Sequence, residues 1–116
     1  MIAAIIQARM GSSRLPNKVL MDIDGKPSLK YMIDRVAKSK YIEKIIVATT
    51  TNKRDQVIVD FCIENNVLFY CGSENDVLDR YYQTSINNDV KTVIRLTSDC
   101  PLIDPVLIDK TIDLYF

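Results

Sequence analysis

Four short apolar runs, separated by segments of helical periodicity, constrain the fold of this chain more than any other feature of its sequence. The runs are five to seven residues long and cover residues 2–6, 44–50, 67–71 and 92–97. Their β-branched content is typical of strands that are buried on both faces. The alternation of strands and helices predicts an α/β fold: a doubly wound, mostly parallel sheet with helices on both faces.

The segments between these runs place apolar residues at helical spacing. We therefore expect helices over residues 27–39 and 53–65, a third from about residue 75 and a fourth from residue 105. The residues expected to form the first tight turn and to begin or cap helices are Asp24-Gly25, Pro27, Thr51-Asn52, Asp104 and Pro105. The core face predicted for the second helix consists of Val57, Ile58, Phe61 and Cys62.

The first apolar run leads into a positively charged loop. Its cations are Arg9, Arg14 and Lys18, it also holds one glycine and two serines, and no acidic residue occurs before Asp22. Such a loop at the end of a buried strand suits a polyphosphate, because backbone N–H groups can approach the phosphate oxygens while the cations offset their charge. The glycine spacing fits neither a Walker loop nor a dinucleotide fingerprint. By composition alone, a solvated loop with incidental charges is the alternative.

Composition excludes several classes of protein. Fifteen basic and fifteen acidic residues give no net charge, which argues against a general nucleic-acid binder. Three widely spaced cysteines and no histidine argue against the usual zinc sites and against a disulfide framework, and they fit a reducing cytoplasm. No signal peptide or membrane span is evident, so a cytoplasmic location without membrane contact is expected.

Three stretches carry a specific family resemblance: AxIIQARMGSSRLPNKVL at the start, GSENDVLDRYY over residues 72–82 and RLTSDCPLID over residues 95–104. Together they resemble the cytidylyltransferases that make CMP-linked acidic sugars, and they look most like the branch associated with spore-coat polysaccharide biosynthesis. The resemblance implies a Rossmann-like nucleotidyltransferase. It also implies transfer of a CMP group from CTP to the hydroxyl of an acidic sugar, with release of pyrophosphate and Mg²⁺ as cofactor.

The resemblance further implies which residues contact the nucleotide: Arg9, Gly11, Ser12, Ser13, Arg14, Lys18 and Arg80. Arg9 and Lys18 are implied to neutralise phosphate charge, which is the main source of catalysis in such transfers. Gly11 and the two serines are implied to supply backbone and hydroxyl donors. Two alternatives stay open, because Arg14 could form a surface ion pair and Arg80 could be a solvent-facing charge on the third helix.

Asp99 is the residue that the resemblance implies as the Mg²⁺ ligand and, with Arg9 and Lys18, as part of the catalytic set. It follows the fourth strand, and Mg²⁺ prefers one or two carboxylates plus phosphate oxygens and water. The alternative is a turn-forming aspartate before the bend at Pro101. Asp104 is a weaker metal candidate, because a helix cap explains it fully.

Members of this family are normally longer than 116 residues. We expect residues 1–116 to be the nucleotide-binding part of a single cytidylyltransferase domain that forms a homodimer in its full-length form, and to bind nucleotide without turnover by themselves. One alternative is a transferase of similar fold that uses nucleotide sugars. The other is a non-catalytic doubly wound domain of the receiver kind, which would need an acidic cluster where Gln7 and Arg9 stand.

Overall fold

The computed structural model describes residues 2–11, 20–72, 83–84, 92–97 and 104–115. The predicted third helix lies largely outside these ranges, although Gln83 and Thr84 have helical geometry and Thr84 is fully buried. None of the helices within these ranges is long and apolar enough to span a membrane.

The described strands are β1 (Ile2–Gln7), β2 (Asp22–Ile23), β3 (Lys26–Pro27), β4 (Lys44–Thr50), β5 (Leu68–Gly72) and β6 (Thr92–Thr97). Four of them form a parallel sheet in the order β5-β4-β1-β6. The described helices are α1 (Ser28–Val36), α2 (Gln56–Glu64) and α3 (Pro105–Tyr115). The predicted α/β architecture is therefore confirmed, and the bounds expected for β4 and β6 are those observed.

The central strand β1 is buried on both faces because its side chains are small or β-branched and alternate between two layers. Ala4 and Ile6 point into the main hydrophobic cluster, to which α1, α2 and α3 all contribute. Ile5 lies in a second cluster with Ala48 of β4. The sheet therefore has a packed core on each side, which leaves its strand ends as the places where polar groups can gather.

A tight hairpin precedes α1 and corrects one prediction. Asp24 and Gly25 have φ angles of 52° and 86°, which is the left-handed geometry of the predicted two-residue turn. Pro27 does not begin the helix, because it pairs with Asp22 in the β2–β3 ladder. The helix begins at Ser28 and ends at Val36, so it is shorter than the predicted 27–39.

Of the predicted cap Thr51-Asn52, Asn52 caps the 3₁₀ turn before α2, and the buried face of α2 is narrower than predicted. Asn52 accepts a hydrogen bond from the Arg54 N–H at 3.0 Å and opens a 3₁₀ turn, Lys53–Asp55, that leads into α2. The buried side chains of α2 are Ile58, Phe61 and Cys62. Val57 is exposed, which contradicts the predicted core face, because it lies about 100° around the helix from Ile58.

The helix α3 docks against α1 and the turn that follows it. Asp104 is its N-cap, as expected, and accepts a hydrogen bond from the Val106 N–H at 2.9 Å. The Asp109 carboxylate accepts hydrogen bonds from the Ser39 hydroxyl and, at 3.3 Å, from the Lys40 N–H. Ile108 on the same face is buried in the main cluster. Polar and apolar contacts together fix α3 against the α1 side of the sheet.

The docking of α3 predicts effects of different size for two neighbouring substitutions. Ile108 is 6% exposed and Leu107 is 61% exposed. Ile108→Ala should lower the free energy of unfolding by about 2–4 kcal/mol, because it removes buried methyl groups and leaves a cavity. Leu107→Ala should lower it by less than about 1 kcal/mol. Urea denaturation measures both, and equal losses in the two variants would contradict this packing.

Candidate functional site

The carboxyl ends of the parallel strands meet at one edge of the sheet. Gln7 at the end of β1 is in register with Thr97 at the end of β6. On the other side of β1, the Ala8 N–H donates to the Ala48 carbonyl of β4 at 3.0 Å. Within the sheet, β4 and then β5 are added on one side of β1, whereas β6 is added on the other side. This reversal makes the β1–β6 boundary a topological switch point, where ligands bind in open α/β sheets.

Two of the predicted site residues, Arg9 and Gly11, lie in the described part of this edge. Both follow β1 directly and are partly buried. The other predicted site residues lie outside the described residues: Ser12, Ser13, Arg14, Lys18, Arg80 and Asp99. Their roles stay predictions. In the sequence, Asp99 comes two residues after Thr97, the last residue of β6.

Asp55 is the anchor of this edge, and sequence analysis did not select it. Its side chain is buried, with 1% exposure. One carboxylate oxygen accepts a hydrogen bond from the Met10 N–H at 2.6 Å, and the other accepts one from the Thr50 hydroxyl. Since Met10 lies 45 residues before Asp55, this carboxylate joins the loop after β1 to the connection after β4. The start of the cationic loop is thereby held in a fixed position.

The local sequence after β4 explains how Asp55 reaches that position. The Thr50 hydroxyl accepts a hydrogen bond from the Asn52 N–H at 3.1 Å, and the Asn52 carbonyl accepts one from the Asp55 N–H at 3.0 Å. These bonds close the short turn between the strand and α2, in keeping with the preference of Asn for such turns. The Asp55 side chain is consequently directed to the sheet rather than to solvent.

Arg54 brings a further cation to the same loop. A Cβ atom placed on Gly11 would overlap with the Arg54 guanidinium atoms Nε, Cζ and Nη2. The guanidinium therefore lies directly against the Gly11 backbone. Sequence analysis missed Arg54 as well as Asp55. The available signal was an acid three residues after Asn52, but that spacing indicates a local helix cap and carries no information about Met10 or Gly11.

The negative charge of Asp55 also affects the pKa of a neighbouring thiol, that of Cys71. Burial raises the pKa of the Cys71 thiol, and the Asp55 charge raises it further. Burial, with a smaller contribution from Cys71, raises the pKa of Cys62 to about 12. Both thiols are therefore neutral at physiological pH and poor nucleophiles.

The described ranges contain no group of three or more Asp, Glu, His or Cys side chains that could hold a metal ion. Both carboxylate oxygens of Asp55 accept hydrogen bonds, one from Met10 and one from Thr50, so this side chain is not available to bind a metal ion. The carboxylate predicted to bind metal, Asp99, lies beyond these ranges. Its role as a Mg²⁺ ligand stays a prediction.

The chain belongs to the cytidylyltransferase family, whose sequence model matches residues 3–116. It is 37% identical over 119 residues to the spore coat polysaccharide biosynthesis protein SpsF of Bacillus subtilis. That alignment covers 99% of this chain and 50% of SpsF. This membership confirms the resemblance and decides against a receiver-like domain. The chain spans about half the length of the curated relatives it matches.

Solved structures confirm the fold. A cytidylyltransferase from Leptospira borgpetersenii superposes with a TM-score of 0.91 at 36% identity, covering 97% of this chain and 48% of that one. A CMP:2-keto-3-deoxy-manno-octonic acid synthetase complexed with CTP superposes with a TM-score of 0.80 at 26% identity, covering 97% of this chain and 46% of that one. The nucleotidyltransferase architecture expected from the sequence is therefore present.

The anchoring role of Asp55 predicts a specific loss of stability. Asp55→Asn should lower the free energy of unfolding by about 1–3 kcal/mol, because an amide cannot accept both hydrogen bonds and a buried donor loses its partner. Asp60→Asn is the matched control: Asp60 is exposed on α2 and accepts a surface hydrogen bond from the Gln56 side chain at 3.0 Å. That variant should stay within about 0.5 kcal/mol of the unsubstituted protein. Urea denaturation that ranks the two variants equally would refute the anchoring role.

The same carboxylate predicts a change in thiol chemistry. Removing the Asp55 charge in Asp55→Asn should lower the pKa of Cys71, so its alkylation by iodoacetamide should begin at lower pH. Cys62 reports unfolding, since it is fully buried with its pKa raised to about 12 and should stay unmodified in the folded protein. Peptide mapping gives the alkylation rate of Cys71 from pH 7 to 10. A pKa change shifts the pH at which this rate rises, whereas a change in solvent access scales the rate at every pH. An unshifted Cys71 profile would mean that the Asp55 charge does not reach this thiol.

Proposed function

We propose that this chain is the nucleotide-binding part, over residues 1–116, of an enzyme that transfers a cytidylyl group from CTP to an acidic sugar. The observation that carries the proposal is the cationic loop after β1, held by the Asp55–Met10 hydrogen bond at the switch point of the sheet. A loop whose start is held in this way can present positive charge and backbone donors to a polyphosphate with less reorganisation. Membership of the cytidylyltransferase family supplies the cytidine nucleotide as the substrate class.

In this proposal the loop holds the triphosphate. Arg9 and Lys18 contact phosphate oxygens and neutralise the charge that develops during transfer. Gly11, Ser12 and Ser13 donate further hydrogen bonds to the phosphates. Arg14 supplies the third positive charge of the loop. Arg9 follows a strand that is buried on both faces, so its backbone has little freedom to move away from the nucleotide.

The reaction that follows is an in-line displacement at the α-phosphorus of CTP. A hydroxyl oxygen of the sugar forms a bond to this phosphorus, and the bond between the phosphorus and the bridging oxygen to the β-phosphate breaks. Pyrophosphate leaves with that electron pair, and the hydroxyl proton passes to a carboxylate or to water. Cations fixed by the loop stabilise the leaving group.

Asp99 is the residue proposed to bind Mg²⁺ beside the phosphates. Its carboxylate is of the type that Mg²⁺ selects, and the ion usually takes its other ligands from phosphate oxygens and water. When bound, the ion supplies charge neutralisation on the triphosphate. Arg80 is proposed to meet the base or the carboxylate of the sugar, since an arginine fork pairs well with a carboxylate.

The acidic sugar and the pathway are supported by relatives rather than by geometry. The structural neighbour that is complexed with CTP is a synthetase for a CMP-linked octonic acid, and a sequence relative belongs to spore-coat polysaccharide biosynthesis. We therefore propose a role in polysaccharide biosynthesis. We also propose that sugar-binding groups and the contacts of a homodimer come from the part of such proteins that this chain does not cover.

The proposal predicts a nucleotide preference. Calorimetric titration with CTP, ATP, GTP and UTP should give the tightest binding for CTP, and Mg²⁺ should strengthen it. Arg9→Ala and Lys18→Ala should each weaken CTP binding by about tenfold or more, because each removes a charge-assisted contact to phosphate.

Lys38→Ala is the matched control for these two variants. It removes the same charge from an exposed residue after α1, at the opposite edge of the sheet, and should leave CTP affinity within about twofold. Failure of the unsubstituted protein to bind any nucleotide would overturn the proposal, as would equal effects of Lys38→Ala and Lys18→Ala.

A further inference from the structure

The connection between β4 and α2 lies beside the start of the loop that follows β1. It places Arg54 against Gly11 and Asp55 beneath Met10, so two consecutive residues contact two consecutive residues of the loop. Asp55 is buried and its carboxylate is occupied by hydrogen bonds, whereas Arg54 is exposed to solvent. Asp55 and Arg54 therefore have different roles. The carboxylate holds the Met10 backbone, and the guanidinium lies against the Gly11 backbone.

We propose that Arg54 is an additional phosphate-binding residue, which contacts the triphosphate of the nucleotide across Gly11. This inference rests on the proposed function, because it assigns a further residue to the same site. None of the three family-like stretches includes Arg54.

The backbone of Arg54 is held by hydrogen bonds on both sides of the residue. On one side, the Arg54 N–H donates to the Asn52 side chain at 3.0 Å and sits in the capped 3₁₀ turn. On the other side, the Asp55 side chain is bonded to Met10 and Thr50. The backbone of Arg54 is thus held at the loop, and less conformational freedom is lost when its side chain binds a ligand.

The chemistry of the contact suits a polyphosphate. A guanidinium presents a planar fork of donors that matches two phosphate oxygens, and it keeps its charge at all physiological pH values. Gly11 has no side chain between this fork and the loop backbone, so one phosphate group can meet loop donors and Arg54 together. The adjacent Asp55 charge is directed away, because both of its oxygens face the Met10 amide and the Thr50 hydroxyl.

The test compares two neighbouring cations of the same turn. Arg54→Ala should weaken the binding of CTP and of inorganic triphosphate by about tenfold, because each ligand loses one charge-assisted contact. Lys53→Ala removes the same charge from the adjacent exposed residue and should change both affinities by less than about twofold. Arg54→Lys should recover part of the loss, since it restores the charge without the fork. Calorimetric titration at fixed Mg²⁺ measures all of these values.

A double-mutant cycle with Gly11→Ala tests the contact across the loop. The added methyl group must displace the guanidinium, so Gly11→Ala should weaken triphosphate binding more in the presence of Arg54 than in the Arg54→Ala background. Strictly additive effects would overturn the contact.

The remaining outcomes separate this inference from the proposed function. If Arg9→Ala and Lys18→Ala weaken CTP binding while Arg54→Ala behaves like Lys53→Ala, the inference fails and the proposed function stands. If Arg54→Ala affects CTP but not inorganic triphosphate, Arg54 does not act on phosphate and the inference also fails. If the unsubstituted protein binds neither ligand, both proposals fail. Urea denaturation of each variant confirms that the loss of binding is not a loss of folding.

Discussion

The buried carboxylate of Asp55 is the interaction on which the functional edge of this protein depends. A charged group is costly to remove from water unless it is fully hydrogen-bonded, and here a loop amide and a strand hydroxyl supply the bonds. The arrangement works only if β1 and β4 are in the parallel register that brings Met10 and Thr50 to the same edge. The register of the sheet and the position of the cationic loop are therefore coupled through one side chain.

Charge in this chain is arranged locally rather than globally. The chain as a whole is neutral, yet Arg9 and Arg54 lie at one strand edge within the described residues. Asp55, which follows Arg54 in the chain, directs its oxygens to the Met10 amide and the Thr50 hydroxyl. A neutral chain can in this way bind an anion strongly at one place without attracting anions over its whole surface.

The sequence predicted the regular elements well where side-chain pattern and burial agree. The bounds of β4 and β6 followed from runs rich in β-branched and apolar residues, although β6 also carries the exposed Arg95. Predictions were wrong where a residue served an element other than the expected one. Pro27 suits a helix start by its fixed φ angle, but it lies in the hairpin before α1. Val57 is apolar at roughly helical spacing, but the buried stripe of α2 is too narrow to include it.

The sequence by itself determined the order of strands and helices, the parallel sheet and the cytidylyltransferase resemblance that the family match confirms. These features are encoded by local periodicity and by contiguous motifs, which can be read along the chain. Only the tertiary structure decided that Asp55 holds Met10 and that Arg54 lies against Gly11. Those contacts join residues more than 40 positions apart, and no local spacing records them, because they arise from the register of the strands that bring the two loops together.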